Sequence, residues 1–312
     1  MIAFVFPGQG SQSVGMGKAL ADAFPVCRAT FEEADRALGF PLSTIVFEGP
    51  AERLTLTEIT QPAILAVSVA AARLLEERGC RPDIVAGHSL GEYSAHVVAG
   101  TFAFADAVRV VHHRGRYMQE AVPVGAGAMA AILGGDEALV ARACEEAAEG
   151  AVVGPANLNS PGQIVIAGHA AAVARAGDRA RALGAKRVIP LQVSAPFHCA
   201  LMKPAEVRLA PELAAVPAAD PRVPVVANVD AELKRDAAAS VDALVRQVSQ
   251  PVRWEDCVRR LASEGVTAYV EVGPGTVLTG LIRKIARDAT LLSLEAPPGL
   301  APVEAVFGRG AD

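Results

Sequence analysis

The chain has 312 residues, 52% of them hydrophobic and 20% charged, a composition that supplies a sizeable buried core and excludes wholesale disorder. Its formal net charge of −5 has the wrong sign for the basic field of a general nucleic-acid binder, although local basic patches stay possible. Five cysteines, Cys27, Cys80, Cys144, Cys199 and Cys257, stand far apart without a CxxC pair, which argues against a disulfide framework or a zinc ribbon and for reduced thiols in the cytoplasm.

In chain order, "IAFVF" is a short apolar run stopped by "PGQG", the pattern of a buried parallel strand ending in a turn. "MGKALADAFPVCRATFEEADRAL" has helical spacing, as does "QPAILAVSVAAARLLEERG", with Pro62 placed at its start. "PDIVAGHS" reads as a second buried strand, followed by a helix from about Leu90 to Val98 and a further amphipathic helix in "FADAVRVVHHRGRYMQEAV". Over residues 123–193 the order becomes β-α-β-β-α-β, the ferredoxin-like pattern. The α/β alternation then resumes through "VPVVANV", "SVDALVRQVSQP", "WEDCVRRLASEG", "AYVEVGPG" and "VLTGLIRKIAR". The tail after Leu294, rich in Pro, Ala and Gly, reads as loosely held. The expectation is an α/β protein: a mainly parallel sheet in residues 1–122 and 194–312, with a ferredoxin-like subdomain inserted at 123–193. The N-terminus lacks the basic region of a signal peptide, and no uncharged apolar stretch approaches the ~20 residues of a membrane span. A soluble, cytoplasmic protein is expected.

"GHSLG", residues 87–91, fits the G-x-S-x-G nucleophile elbow, with a strand before it and a helix after it. Such a turn displays the Ser89 hydroxyl at a helix N-terminus, where the Leu90 N–H can receive an oxyanion. The plainer alternative is a serine capping a helix. A serine nucleophile needs a base. His88 adjoins Ser89, but an elbow points its side chain away from the nucleophile, so it takes a supporting role. His96, His112, His113 and His169 sit in no motif. His198, in "VSAPFHCALM", lies in a Pro-bounded loop where the chain returns to the large domain, a place suited to a crevice. No acidic residue stands near it in a triad pattern, so a backbone or amide carbonyl is expected to orient the imidazole. "FPGQGSQ", residues 6–12, is a second Gly-rich strand end that can bring the Gln9 N–H to the same oxyanion, although alone it decides little.

These segments together resemble the malonyl-CoA:acyl carrier protein transacylases. "FPGQGSQ", "TQPAILA", "GHSLGEYSA", "RGRYMQEAVP", "NSPGQIVIAGH", "HCALMKPA", "QPVRW" and "EVGPGTVLTGLIRK" stand in the family's order over roughly residues 3–287. The resemblance implies Ser89 as the acylated nucleophile, His198 as its base, and Gln9 and Leu90 as the oxyanion-hole amides. It implies that Arg114 binds the malonyl carboxylate and that the Gln247 main-chain carbonyl orients His198. Gln250, where some relatives carry Asn, leaves open which carbonyl does so. Phe197 stands where related polyketide synthase domains carry Phe when they select malonyl over methylmalonyl.

The implied reaction is ping-pong transfer of malonyl from malonyl-CoA to the phosphopantetheine thiol of an acyl carrier protein, for fatty-acid or polyketide synthesis. No metal or redox cofactor is called for: the CoA thioester is the substrate, and the partner carries the phosphopantetheine. Carrier proteins are acidic, so Arg283, Lys284 and Arg287 are candidate docking residues. A monomer is expected. The competing readings are a serine thioesterase, with water as acceptor, and an inactive carrier-binding module.

Overall fold

The computed structural model describes residues 1–308. Strands β1 (Ile2–Phe6), β2 (Ile84–Gly87), β7 (Val225–Val226), β8 (Leu233–Lys234), β9 (Ala268–Val272) and β10 (Thr290–Leu294) form a sheet in the order β10-β9-β1-β2-β7-β8. All neighbours run parallel except the β7–β8 pair at one edge. Covered on both faces by helices, β1 and β2 read as unbroken apolar runs because nearly every side chain on them is buried, and β9 is interrupted only by the buried Glu271.

A second sheet consists of β3 (Gly127–Leu133), β4 (Val153–Ser160), β5 (Gln163–His169) and β6 (Arg187–Pro190), antiparallel throughout in the order β4-β5-β3-β6. Helices Glu137–Ala147 and Ala170–Ala182 complete the β-α-β-β-α-β order and close a separate small core around Ile132, Val140, Ile166 and Ala176. The sheets meet where β4 bridges Val252: Leu158 N donates to Val252 O and Val252 N to Ala156 O, both at 2.8 Å. This seam brings the small sheet up to the carboxyl ends of β1 and β2, where open α/β sheets bind ligands.

Three details differ from the sequence reading. Pro62 does not start its helix, which runs Thr57–Glu77 with Pro62 inside. A proline there frees the carbonyl of Glu58, and His112 Nδ1 takes that carbonyl at 2.8 Å. This is the only helix among the described residues long and apolar enough to cross a membrane, and 89% of its apolar window is buried in the core. Over residues 295–308 the segment after Leu294 is not loosely held: Leu300–Gly308 is a helix that buries Leu300 and Val303 and sets Phe307 edge-on against Phe4, and the rest of that tail lies outside the described residues. β10, which sequence reading passed over, pairs with β9 along the sheet edge.

Candidate active site

Ser89 sits on a sharp turn between β2 and helix Gly91–Ala99, with φ of 53°, in the left-handed region. The flanking glycines are steric requirements. A Cβ on Gly87 would lie 1.9 Å from the Gly91 carbonyl carbon, and one on Gly91 would lie 2.0 Å from Phe6 O. Asn228, just past β7, braces the turn by accepting from Ser89 N–H and donating to Gly87 O, each at 2.7 Å. With its own N–H thus occupied, Ser89 has no backbone donor left for an oxyanion. The N–H groups of Leu90 and Gln9 make no bond to a protein acceptor among the described residues. Gln9 stands beyond β1, across the turn from Leu90, and lines the same cleft.

His198 arrives from the loop after β6, also at positive φ (58°). Its Nε2 is 2.7 Å from Ser89 Oγ, and its Nδ1 is 2.9 Å from the main-chain oxygen of Gln247. A carbonyl can only accept, so Nδ1 carries the proton and Nε2 offers its lone pair to the serine. Burial, and after it the Arg114 charge, pushes the imidazole down to about 3, while the Gln247 carbonyl and, less strongly, the Gln250 main chain oppose the shift. The imidazole is therefore neutral at neutral pH. The orienting bond comes from the last residue of helix Ala237–Gln247.

Arg114 projects from helix Phe104–Glu120 into the core and is 1% exposed. Its Nη1 donates to Gln61 Oε1 at 2.7 Å, and its Nη2 to Gln247 Oε1 at 2.9 Å and to Ser89 Oγ at 3.3 Å. The Tyr93 ring lies 5.3 Å from the guanidinium carbon, and Nε has no partner. Every hydrogen-bond acceptor is neutral, so no carboxylate touches this buried cation; the Glu92 carboxyl acts on it only at longer range. Beside the nucleophile the guanidinium forms a ready site for an anionic group.

A cleft of about 370 Å³ between the two sheets collects Gln9, Gln61, Ser89, Leu90, Arg114 and His198. Phe197, nearly buried, lines it together with Met118 and Met129. His88 points away from Ser89: its Nε2 donates to Asn159 Oδ1 at 2.8 Å, and its ring tilts over Trp254. Of the other histidines, His96 is buried against Thr101 Oγ1, His113 pairs with Glu212, and His169 Nδ1 accepts from Val152 N–H. Arg283, Lys284 and Arg287 are exposed on and just after helix Val277–Ile285, and Lys284 Nζ spans the seam to Gln163 Oε1 at 2.9 Å.

Sequence reading missed Gln61, Glu92 and Asn228. Gln61 stands, beside Pro62, at the head of the apolar run of its helix, which was a usable signal. Glu92 looks like an ordinary acidic residue in a first helical turn, and Asn228 ends a strand pattern as any turn residue does.

The chain matches the acyl transferase domain family over residues 3–297. It is 56% identical over 300 residues to the malonyl CoA-acyl carrier protein transacylase of Salmonella typhimurium, covering 96% of this chain and 97% of that one. The Escherichia coli K12 protein of the same name is 55% identical with the same coverage. Among solved structures, an acyl carrier protein S-malonyltransferase from Vibrio cholerae superposes with a TM-score of 0.95 at 48% identity, over 97% of this chain and 99% of that one. A malonyl-transacylase solved in complex with its type II PKS acyl-carrier protein gives 0.96 at 50% identity, over 98% and 99%. With a half-buried serine hydrogen-bonded to a buried histidine and set beside a buried guanidinium that no carboxylate touches, and with relatives above half identity along nearly its whole length, the chain belongs to the malonyl-CoA:acyl carrier protein transacylase family.

Proposed function

We propose that this chain moves a malonyl group from malonyl-CoA to the phosphopantetheine thiol of acyl carrier protein through a malonyl ester on Ser89. The observation that carries the reading is the Arg114 guanidinium, buried among neutral acceptors and 3.3 Å from the same Ser89 Oγ that lies 2.7 Å from His198 Nε2. An acyl group bearing a carboxylate supplies a counter-charge in direct contact with the guanidinium; an acetyl group does not.

In the first half-reaction His198 Nε2 takes the Ser89 hydroxyl proton as Oγ attacks the thioester carbonyl. The oxyanion forms against the N–H groups of Gln9 and Leu90. The C–S bond then breaks, and the departing CoA sulfur takes the proton from His198. In the second half the carrier's thiol gives its proton to His198 and attacks the Ser89 ester, and Oγ leaves with that proton. The Arg114 charge depresses His198, so a carboxylate that pairs with Arg114 also restores basicity to the imidazole. The correct acyl group thereby strengthens its own base. Phe197 takes up the space that a substituent on the malonyl α-carbon would need.

The same reading assigns Arg283, Arg287 and, in part, Lys284 to the docking surface for an acidic carrier protein. It divides the chain into a catalytic core of residues 1–122 and 194–312 and a ferredoxin-like unit of residues 123–193, acting as a cytoplasmic monomer. Intact-mass measurement after mixing with malonyl-CoA tests the central claim. A malonyl adduct should form, be absent in Ser89→Ala, and pass to added holo-carrier protein. Loss of the adduct to water at the same rate with and without carrier would make the chain a thioesterase.

A further inference from the structure

The Ser89 elbow rests on a carboxyl group that no step above uses. Glu92, in the first turn of helix Gly91–Ala99, is fully buried. Its Oε2 accepts from Gln247 Nε2 at 2.8 Å and from the Asn228 main-chain N–H at 2.9 Å. Its Oε1 is buried with no hydrogen-bond partner among the described residues. A buried carboxyl with one idle oxygen is costly, and a neutral glutamine of the same size would fill the space with less desolvation.

What the carboxyl accomplishes follows from the amide beside it. Gln247 Oε1 faces Arg114 Nη2 at 2.9 Å while its Nε2 faces Glu92. The amide thus lies with its oxygen on the cation and its N–H groups on the carboxyl. Flipped, it would set N–H against N–H and oxygen against oxygen. The same Nε2 donates to Ser89 O at 3.0 Å, so this one amide also braces the nucleophile's own backbone.

We propose that Glu92 is a positioning residue for acyl selection: its buried carboxyl sets the rotation of the Gln247 amide and, through that amide, holds the Arg114 guanidinium beside Ser89 to receive an acyl carboxylate. The proposal rests on the malonyl reading above.

A second consequence concerns protons. Burial pushes Glu92 up to about 7; the Asn228 N–H, the Gln247 amide and the Arg114 charge oppose this, and the Asp230 carboxylate adds to it. The other ionisable groups facing it, the Tyr93 phenol and the Cys257 thiol, are held neutral by burial. A malonyl carboxylate arriving at Arg114 places negative charge across the Gln247 amide from Glu92 and increases its hold on a proton. Malonyl loading near neutral pH therefore takes up a proton fraction that acetyl loading does not.

The test measures Ser89 loading by malonyl-CoA and acetyl-CoA in the native chain, Glu92→Gln and Glu92→Asp across neutral pH, with proton uptake read by a pH indicator. In Glu92→Gln the malonyl-over-acetyl preference should fall about 5- to 30-fold, the weight of one weakened charge-assisted bond. Its pH dependence near neutrality should vanish, and acetyl loading should fall less than malonyl loading. Glu92→Asp, which keeps the charge, should recover part of the preference and the pH dependence. A native preference and pH profile in Glu92→Gln overturns the proposal, as does an equal loss of both loadings, which a purely structural role would give. If Glu92→Gln does not fold, the proton count on the native chain decides, and equal uptake for the two acyl groups overturns it. Arg114→Met separates the two readings: preference lost there but kept in Glu92→Gln sinks only the Glu92 assignment, whereas preference kept in both sinks the malonyl reading.

Discussion

Arg114→Met removes the guanidinium and keeps an unbranched apolar stem of similar reach, so it isolates the charge. In the free protein that charge is spread over Gln61 Oε1, Gln247 Oε1 and Ser89 Oγ at 2.7, 2.9 and 3.3 Å. A malonyl carboxylate gains a charge-assisted bond worth about 1.5–3 kcal/mol, so its loss should lower kcat/KM for malonyl-CoA, relative to acetyl-CoA, by about 10- to 150-fold. Gln61 and Gln247 are left as buried acceptors without a donor, which should cost about 1–3 kcal/mol of stability. The pH dependence supplies an independent sign. Because the Arg114 charge pushes His198 down, removing it raises the imidazole toward its ordinary value, and more of it is protonated at a given pH. The acid limb of acetyl loading should therefore move to higher pH. Quenched-flow acylation of Ser89, followed by intact mass over a pH series, reads both effects. An unchanged malonyl-to-acetyl ratio, or an acid limb that moves to lower pH, would refute the role assigned to Arg114.

Two further outcomes follow from the same geometry. His96 and His198 are both pushed down to about 3 by burial, so the folded chain binds fewer protons than the unfolded chain below the ordinary histidine value. Stability should accordingly fall as pH drops from about 6.5 toward 3, by about 1.4 kcal/mol per pH unit for each imidazole, with Glu92 partly opposing the slope between about 4.5 and 7. Urea midpoints over a pH series check this, and His96→Gln should make the slope shallower; a slope identical to native would remove His96 from the account. Charge reversal at Arg283 and Arg287 should raise the apparent KM for carrier protein about 3- to 10-fold at low salt, and less at high salt. Loading from malonyl-CoA should change less than the transfer step, and an equal loss in both steps would place these residues elsewhere in the cycle.

Local chemistry made much of the fold legible. Fully buried parallel strands such as "IVAG" appear as apolar runs, and "GHSLG" marks its own turn because Gly91 must let the helix approach Phe6 O at a distance no Cβ permits. Pro62 misled because its local signal is that of a helix start; only a histidine from another helix, taking the Glu58 carbonyl, explains its interior place. The C-terminal segment misled through composition, since its Pro, Ala and Gly content hides Leu300 and Val303, which the core accepts. Arg114 was an ordinary position on an amphipathic helix until the family resemblance singled it out, because periodicity cannot tell a solvated arginine from one turned inward.

The chain's own pattern carries the alternation of strands and helices, the strand–turn–helix at Ser89, and, through resemblance, the order of the site-bearing segments. These depend on contacts between residues close in the chain or on motifs that persist whole. The tertiary structure alone decided how Gln61, Glu92, Asn228 and Gln247 meet around one serine and one guanidinium. Each is a single polar residue whose hydrogen-bond partner lies far along the chain. What makes it functional is low-dielectric burial beside that partner, a property that exists only once the sheet and its helices have closed around them.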